Sequence, residues 1–263
     1  MSDSTDQQVA ACWDLNADQW TEDVRAGFDV YRDQFTFPAF LNFLPDIRGL
    51  KLIDFGCGEG TNTRALARRG AHMTGLDLSA RLVAHARQME EEEPLGITYV
   101  ANSYSTHCGL EDGSFDGVIS TLALMDGPDF DGAMREAYRL VRPSGFICFS
   151  ILHPCFIAPS IGWVRDEQEQ AHQLCVSRYF DRSHFTEHWR FGSRAQDVEI
   201  TPFAVPRFPR TVSDYLNGII AAGWNIRQIE EPRPTDEACA TTPRFARWRD
   251  IAAFLLMIRA EHP

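Results

Sequence analysis

What this chain of 263 residues has little of narrows the possibilities first. Basic residues are in deficit: 25 Lys and Arg stand against 37 Asp and Glu, a formal charge of −12. Binding to nucleic acid needs a basic face to neutralise phosphates, so the balance argues against a nucleic-acid substrate. The best basic cluster, Arg244, Arg247 and Arg249, reads as a solvated helix face. Cysteines number seven, but none stands in a Cys-x-x-Cys pair. That speaks against a disulfide framework or a zinc site and fits reduced thiols in a cytoplasm. No apolar run reaches membrane-spanning length, so no membrane insertion is expected. The first residues lack a basic stretch followed by an apolar core, so no secretory signal is expected. Repeats are absent too. The one biased tract, Glu90 to Glu93, reads as a solvated face at a helix end.

What is present is an alternation. Trp13, Trp20, Val24 and Phe28 recur at helical intervals between Asp6 and Leu44, which predicts a helical cap over residues 1–45. Residues 46–263 form the main domain, which begins with apolar runs at Lys51–Phe55, Ala71–Leu76, Ile97–Ala101, Phe115–Ser120 and Phe146–Leu152. These read as strands, the last continuous enough to be buried on both faces. Helical patterns separate them at Thr61–Arg69, at Ser79–Glu92 with Ser79 as N-cap, and at Asp129–Val141, stopped by Pro143 and Gly145. Right-handed crossovers make such a series a parallel sheet with helices on both faces. The alternation stops from about 154 to 210, where aromatic and charged residues mix. That stretch is too long to lack structure and reads as a cap or β-rich insertion after the fifth strand. A helix at Thr211–Ala222 and strands at Trp224–Glu230 and Ile251–Ala260, the two strands forming an antiparallel pair, close the sheet.

The most informative stretch is Leu52 to Thr61, Leu-Ile-Asp-Phe-Gly-Cys-Gly-Glu-Gly-Thr, followed by Gly-Leu-Asp-Leu-Ser at Gly75–Ser79. Alternating Gly56, Gly58 and Gly60 at a strand-to-helix turn let a ligand approach backbone where a Cβ would clash. Asp77 ends the next strand and can accept two hydrogen bonds from a ribose diol. A dinucleotide fingerprint is Gly-x-Gly-x-x-Gly with a pyrophosphate on the helix N-terminus. Here the spacing is Gly-x-Gly-x-Gly, and Asp54, two residues earlier, repels a pyrophosphate but suits an ammonium group. A tight βα turn with no ligand is the plain alternative, and the conjunction with Asp77 in one βαβ unit weighs against it.

On these residues the chain resembles the class I S-adenosylmethionine-dependent methyltransferases. The resemblance implies a Rossmann-like α/β fold with a seven-stranded, mostly parallel sheet. It implies S-adenosylmethionine as cofactor and S-adenosylhomocysteine as product. Asp54, Gly56, Cys57 and Gly58 would line the methionine part, with Gly60 completing the turn, Asp77 on the ribose and Leu78 against the adenine. Asp112 to Ser120 resembles the family's entry to strand four, with Ser120 placed for the methionine tail. Arg139 to Gly145 resembles its turn before strand five, Gly145 supplying the flexible position. One departure follows strand three. Ala101-Asn102-Ser103-Tyr104 carries no acid, so the adenine amino group falls to Asn102 or Ser103. Over nearly the whole chain the likeness is to the small-molecule group related to ubiquinone and menaquinone biosynthesis.

The acceptor end is less legible. His153, leaving the fifth strand, is a candidate general base or else a histidine that orders the turn before Pro154. Cys155 reads as an inert thiol. Trp20 reads as a lid and Trp13 as a packing seam. Tyr31 with Arg32 and Asp33 begins a polar patch placed to reach the substrate from the N-terminal cap, and Tyr179 and Trp189 are candidate walls for a planar acceptor. Asp126 reads either as a helix-entry residue or as a polar contact to substrate. No metal site is expected. The function these residues predict is methyl transfer to a small, aromatic or heterocyclic acceptor at O, N or C, by a monomer or homodimer. A cofactor-binding regulatory protein without transferase activity is the alternative, and a nicotinamide oxidoreductase is disfavoured by Asp54 and the glycine spacing.

Overall fold

Helices cover both faces of a seven-stranded sheet in the computed structural model, which describes residues 5–157, 159–194, 197 and 199–263. The strands are β1 (Lys51–Phe55), β2 (His72–Asp77), β3 (Thr98–Ala101), β4 (Phe115–Thr121), β5 (Val141–Leu152), β10 (Asn225–Glu230) and β11 (Leu255–Glu261). Between β5 and β10 run β6 (Ser160–Arg165), β7 (Ala171–Ser177), β8 (Phe185–Trp189) and β9 (Phe203–Arg207). The sheet order is β10-β11-β5-β4-β1-β2-β3, and β11 is antiparallel to both neighbours. The order reverses between β1 and β4, so the carboxyl ends of those strands splay apart and leave a crevice.

The period-2 alternation of the strands sorts two cores. Leu52, Met73, Ile119, Cys148 and Met257 face α2 (Phe37–Phe43), α3 (Thr61–Arg68) and α4 (Ala80–Glu92), through Phe40, Phe43, Leu66, Val83 and Ala86. Their neighbours Ile53, Val118, Ile147, Phe149 and Ile258 face α5 (Phe130–Leu140) and α6 (Val212–Ala221), through Met134, Ala137, Tyr215 and Ile219. Trp224, just after α6, is pinned by its indole N–H on the Met134 carbonyl at 3.1 Å.

Several sequence expectations need correction. Strand β5 begins at Val141, immediately after α5, and the register jumps against β4, from Phe115–Val141 to Gly117–Phe146, across a bulge. Within that bulge Ser144 takes the left-handed conformation (φ 65°). Gly145 does not supply the flexible position; it is there because a Cβ would meet the Asp116 and Arg142 carbonyl oxygens at 2.5 and 2.9 Å. Glu90 is not simply solvated: it accepts from the N–H groups of Leu95, Gly96 and Ile97 (2.6, 2.7 and 3.1 Å) and pairs with the buried Arg64 at 2.7 Å. The last strand starts at Leu255, since α7 (Asp236–Thr241) and α8 (Ala246–Asp250) occupy the connection from β10.

The N-terminal helix α1 (Asp6–Arg25) is tied across the molecule. A capping box on Thr5 starts it, Asp14 accepts from the Ser79 hydroxyl at 2.6 Å, and Asp18 bonds the His85 ring at 2.9 Å. Asn16 pairs with both backbone groups of Ala204 in β9. The stretch after β5 contains two antiparallel hairpins, β6–β7 and β8–β9. The second packs Phe203 and Val205 with Phe191 and Val24 into a small core of its own. A π-helical turn (Arg32–Thr36) leads from α1 to α2. Among the described residues no helix is long and apolar enough to cross a membrane.

Candidate active site

At the carboxyl ends of β1, β2, β4 and β5 lies a cavity of about 500 Å³, within the range of small-molecule sites. It is roofed by α1, the π-helical turn and the β8–β9 hairpin, and reaches as far as α8.

One end is made of the glycine turn. Gly56, Gly58 and Gly60 all have positive φ (75°, 57° and 89°), which L-residues with a Cβ rarely adopt. A Cβ on Gly56 would overlap that of Ala123 in the loop after β4. At Gly58 it would meet nothing within 4 Å, so this glycine leaves open space on the cavity side. Asp77 faces the same end, its two carboxylate oxygens accepting from the N–H of Gly58 (2.8 Å) and of Ser79 (2.9 Å). Burial raises its carboxyl to about 6, against the pull of those two amides. Leu78 and Leu82 supply apolar wall beside it.

Not every residue of the motif lines the cavity. Asp54 lies behind the turn, fully buried, with Thr63 donating to one oxygen at 2.6 Å and the other oxygen unpartnered. Burial lifts its carboxyl to about 7, reinforced by the nearby charges of Asp77 and Glu59. Gly60 caps α3, where a Cβ would meet the Tyr99 hydroxyl at 2.6 Å. Cys57 borders the cavity, and its thiol is held well above its ordinary value by burial. Ser120 faces into the sheet, donating to the Phe55 carbonyl at 2.7 Å, and Thr121, Leu122 and Ala123 hold the wall instead. Asn102 and Ser103 also stand outside it. The Asn102 amide donates to the Cys108 carbonyl, and the Ser103 hydroxyl bonds Asp6 and Ser105. Ser103 thereby ties the start of α1, while Asn102 orders the short loop after β3. Tyr104, next in the chain, is the one that reaches the cavity, stacked on Phe55 at 5.5 Å.

The same end fits the donor that the motif implies. Asn62, on α3, lines the cavity with its amide N–H₂ on the Thr121 hydroxyl (2.9 Å) and its carbonyl oxygen buried without a partner. At the cavity, Asn62 Oδ1 is thus an orphan acceptor with no donor among the described residues, while the orphan oxygen of Asp54 lies behind the turn. An ammonium group supplies a donor for Asn62, and the Asp77 carboxylate keeps lone pairs for a diol.

The other end is aromatic. Trp20 packs edge to face on Trp189 and Phe203 (5.9 and 5.4 Å) and tilted on Phe191 (5.1 Å), with its indole N–H on Glu59 at 3.1 Å. Trp20 therefore bridges α1, the hairpin and the glycine turn, and Trp13, 5.3 Å from it, shares the wall as well as the seam. Tyr31 lines the cavity between Phe245 and Phe254.

Two acceptor-side expectations do not hold. His153 is 3% exposed and outside the cavity. Its Nδ1 accepts from the Cys155 N–H (3.1 Å) and its Nε2–H points at Glu231 (2.6 Å), so neither nitrogen is left for a substrate. Burial moves its pKa down, opposed by Glu231. Tyr179 sits at the N-terminus of α6, accepting from the Val212 N–H at 3.0 Å, and lines nothing. Both follow the strand end in sequence, but around the His153–Ile157 turn it is Ile157 and Ile161 that line the cavity.

Charged residues take their place. Asp126 is buried in the wall beside Arg207, whose other side holds Glu187 at 2.7 Å. Burial raises the Asp126 carboxyl to about 6 despite that cation, and Asp29, bonded to the Arg32 N–H, reaches a similar value by burial. Arg244 and Arg247 line the cavity rather than a solvated face. The signal was their interleaving with Phe245 and Trp248, since a solvated face does not alternate with large aromatics. Among the described residues no cluster of three or more His, Cys, Asp or Glu could hold a metal.

Comparison with known proteins agrees with this geometry. A family model for a methyltransferase domain matches residues 53–149, from β1 into β5. The solved S-adenosylmethionine dependent methyltransferase from Mesorhizobium loti is 30% identical, with a TM-score of 0.68 over 86% of this chain and 97% of that one. A ubiquinone biosynthesis O-methyltransferase from Cronobacter sakazakii is 34% identical over 105 residues, 40% of this chain and 43% of that protein. The chain thus matches less than half the length of that relative. An uncharacterized protein from Haemophilus influenzae is 26% identical over 76% of this chain and 77% of its own length. The chain belongs to the S-adenosylmethionine-dependent methyltransferases. Its cofactor is S-adenosylmethionine.

Proposed function

We propose that this protein transfers a methyl group to a small, planar acceptor, aromatic or heterocyclic, bound at the aromatic end of the cavity. One observation carries the reading: the glycine turn, Asp77 and the orphan oxygen of Asn62 share one cavity with an aromatic wall at the switch point of the sheet. Gly56, Cys57, Gly58 and Asn62 would hold the methionine part, Asp77 the ribose, and Leu78 and Leu82 the adenine region. Bound there, the cofactor supplies an electrophilic methyl carbon. The chain's own task is to orient the acceptor and exclude water, and Trp20, Trp189 and Phe191 do so from the roof. Where the attacking atom must lose a proton, Asp126 takes it. Its carboxylate is buried, faces the cavity, and sits in the loop that packs Ala123 against Gly56. Arg207 keeps it oriented. The acidic surface supports a small-molecule acceptor over nucleic acid, and unpaired cysteines support a cytoplasmic setting.

The test is transfer of labelled methyl from S-adenosylmethionine to a panel of phenols, hydroxybenzoates and nitrogen heterocycles. With a hydroxyl acceptor, Asp126→Asn lowers kcat about 100-fold while S-adenosylhomocysteine still binds. A base with a carboxyl near 6 is inactive when protonated, so the wild-type rate falls as pH drops below about 6. Full turnover by Asp126→Asn removes Asp126 from this role. Cofactor binding with no transfer to any acceptor favours a regulatory binding protein.

A further inference from the structure

Five arginines line the cavity, and they differ in how they are satisfied. Arg32 pairs with Asp33, Arg207 with Asp126 and Glu187, and Arg190 donates to the Ile200 carbonyl at 2.7 Å. Arg244 and Arg247 have no acidic partner among the described residues, although neighbouring Arg249 has two, Asp236 and Asp250. The Nε–H of each is buried and unbonded. In a chain with so many carboxylates, their absence around two half-buried guanidinium groups is itself a local feature of the site. An unsatisfied buried donor is costly, and an arriving acceptor relieves that cost.

The surroundings hold these two cations in place and leave their edges available. Arg244 lies over the Tyr31 ring at 5.3 Å, and Arg247 over Trp163 and Trp248 at 5.0 and 5.4 Å. Stacked guanidinium groups present their N–H edges in the plane, the geometry that grips an oxyanion with two parallel bonds. Gly192 faces Arg244, and a Cβ there would come 2.5 Å from the guanidinium carbon, so glycine makes the room. The Tyr31 hydroxyl accepts from Trp248 Nε1 at 3.2 Å and lies 3.5 Å from Arg247 Nη2. With both interactions directed at its oxygen, its own proton is free to be donated.

We infer that this end of the cavity is an oxyanion subsite, so that the methyl acceptor carries a carboxylate or a phosphate gripped by Arg244, Arg247 and the Tyr31 hydroxyl. Identifying the anion's bearer as the acceptor rests on the methyltransferase reading; the anion site itself does not. The probes are benzoate, phenyl phosphate and neutral benzamide, titrated calorimetrically into the protein with and without S-adenosylhomocysteine. At least one acid binds about tenfold or more tighter than benzamide. The tighter acid tells carboxylate from phosphate. In Arg244→Gln/Arg247→Gln the preference shrinks to within about twofold, with S-adenosylhomocysteine affinity unchanged. Should that double variant not fold, Gly192→Ala serves, weakening the acid by displacing Arg244 and sparing benzamide. Equal binding of acid and amide, failure of both acids to bind, or a preference that survives the substitutions overturns the inference. Failure of S-adenosylhomocysteine alone to bind counts against the methyltransferase reading and leaves the anion test standing.

Discussion

At the donor end of the cavity the shape is made by backbone, within 27 residues of continuous sequence from Leu52 to Leu78. At the acceptor end it is made by side chains from segments as far apart as Asp29, Asp126, Trp189 and Arg247. The donor end tolerates little variation because its geometry depends on positive φ and on absent Cβ atoms. The acceptor end is a set of replaceable walls held by packing. On the proposed reading, one region fixes the chemistry supplied, and the other the molecule that receives it.

Substitutions can break this contrast. The largest effect is expected from Gly56→Ala, where the new methyl collides with Ala123 and φ is 75°. Loss of measurable S-adenosylhomocysteine binding and a lower melting temperature are expected. Gly58→Ala has open space, so its fold suffers only the left-handed penalty of about 1–2 kcal/mol, read in urea unfolding. Equal damage from the two would mean that backbone conformation alone, and not the close approach to the β4 loop, governs the turn. Next, Asp77→Ala removes the ribose acceptor and frees the Gly58 and Ser79 amides. Cofactor affinity falls by about 1.5–3 kcal/mol, roughly 10- to 150-fold. A calorimetric Kd like the wild type would displace Asp77 from the ribose.

A smaller effect is set by pH. Folding raises the Asp54 carboxyl from 3.8 to about 7 by burial, so the native state holds a proton that the unfolded chain releases. Between about pH 4 and 7 this group therefore loses stabilising contribution as pH rises, and changes nothing above that window. Denaturation of wild type and Asp54→Asn across the window should show the wild type losing ground to the variant as pH increases. Parallel curves would contradict the buried, protonated carboxyl. Smallest is His153→Gln. It loosens the contacts to Cys155 and Glu231, lowering stability by about 1 kcal/mol, but leaves turnover per folded molecule unchanged.

The contrast also explains what could be read from sequence. Glycine spacing, Asp77 and the alternation of apolar runs are local signals, and they placed the sheet, the crevice and the donor turn. His153, Tyr179, Ser120, Asn102 and Ser103 were misplaced because position after a strand does not say which way a side chain turns. The Ser120 hydroxyl bonds a neighbouring strand, and His153 orders its own turn. Asp126 was left between two readings, and Arg244 and Arg247 escaped, because their meaning comes from partners 80 or more residues away: Arg207 for the first, Tyr31 for the others. Trp20, Tyr31 and Trp189 were legible as large aromatics in the cap and the insertion, and all three line the cavity.

The central claim is that the turn from Asp54 to Gly60, with Asp77, binds a nucleoside bearing an amino-acid tail and no pyrophosphate. Calorimetric titration of the wild-type protein with S-adenosylhomocysteine and, separately, with NAD tests it most directly. Saturable binding of S-adenosylhomocysteine at one site per chain, with no heat from NAD, is the predicted result. Binding of NAD without S-adenosylhomocysteine would contradict the account.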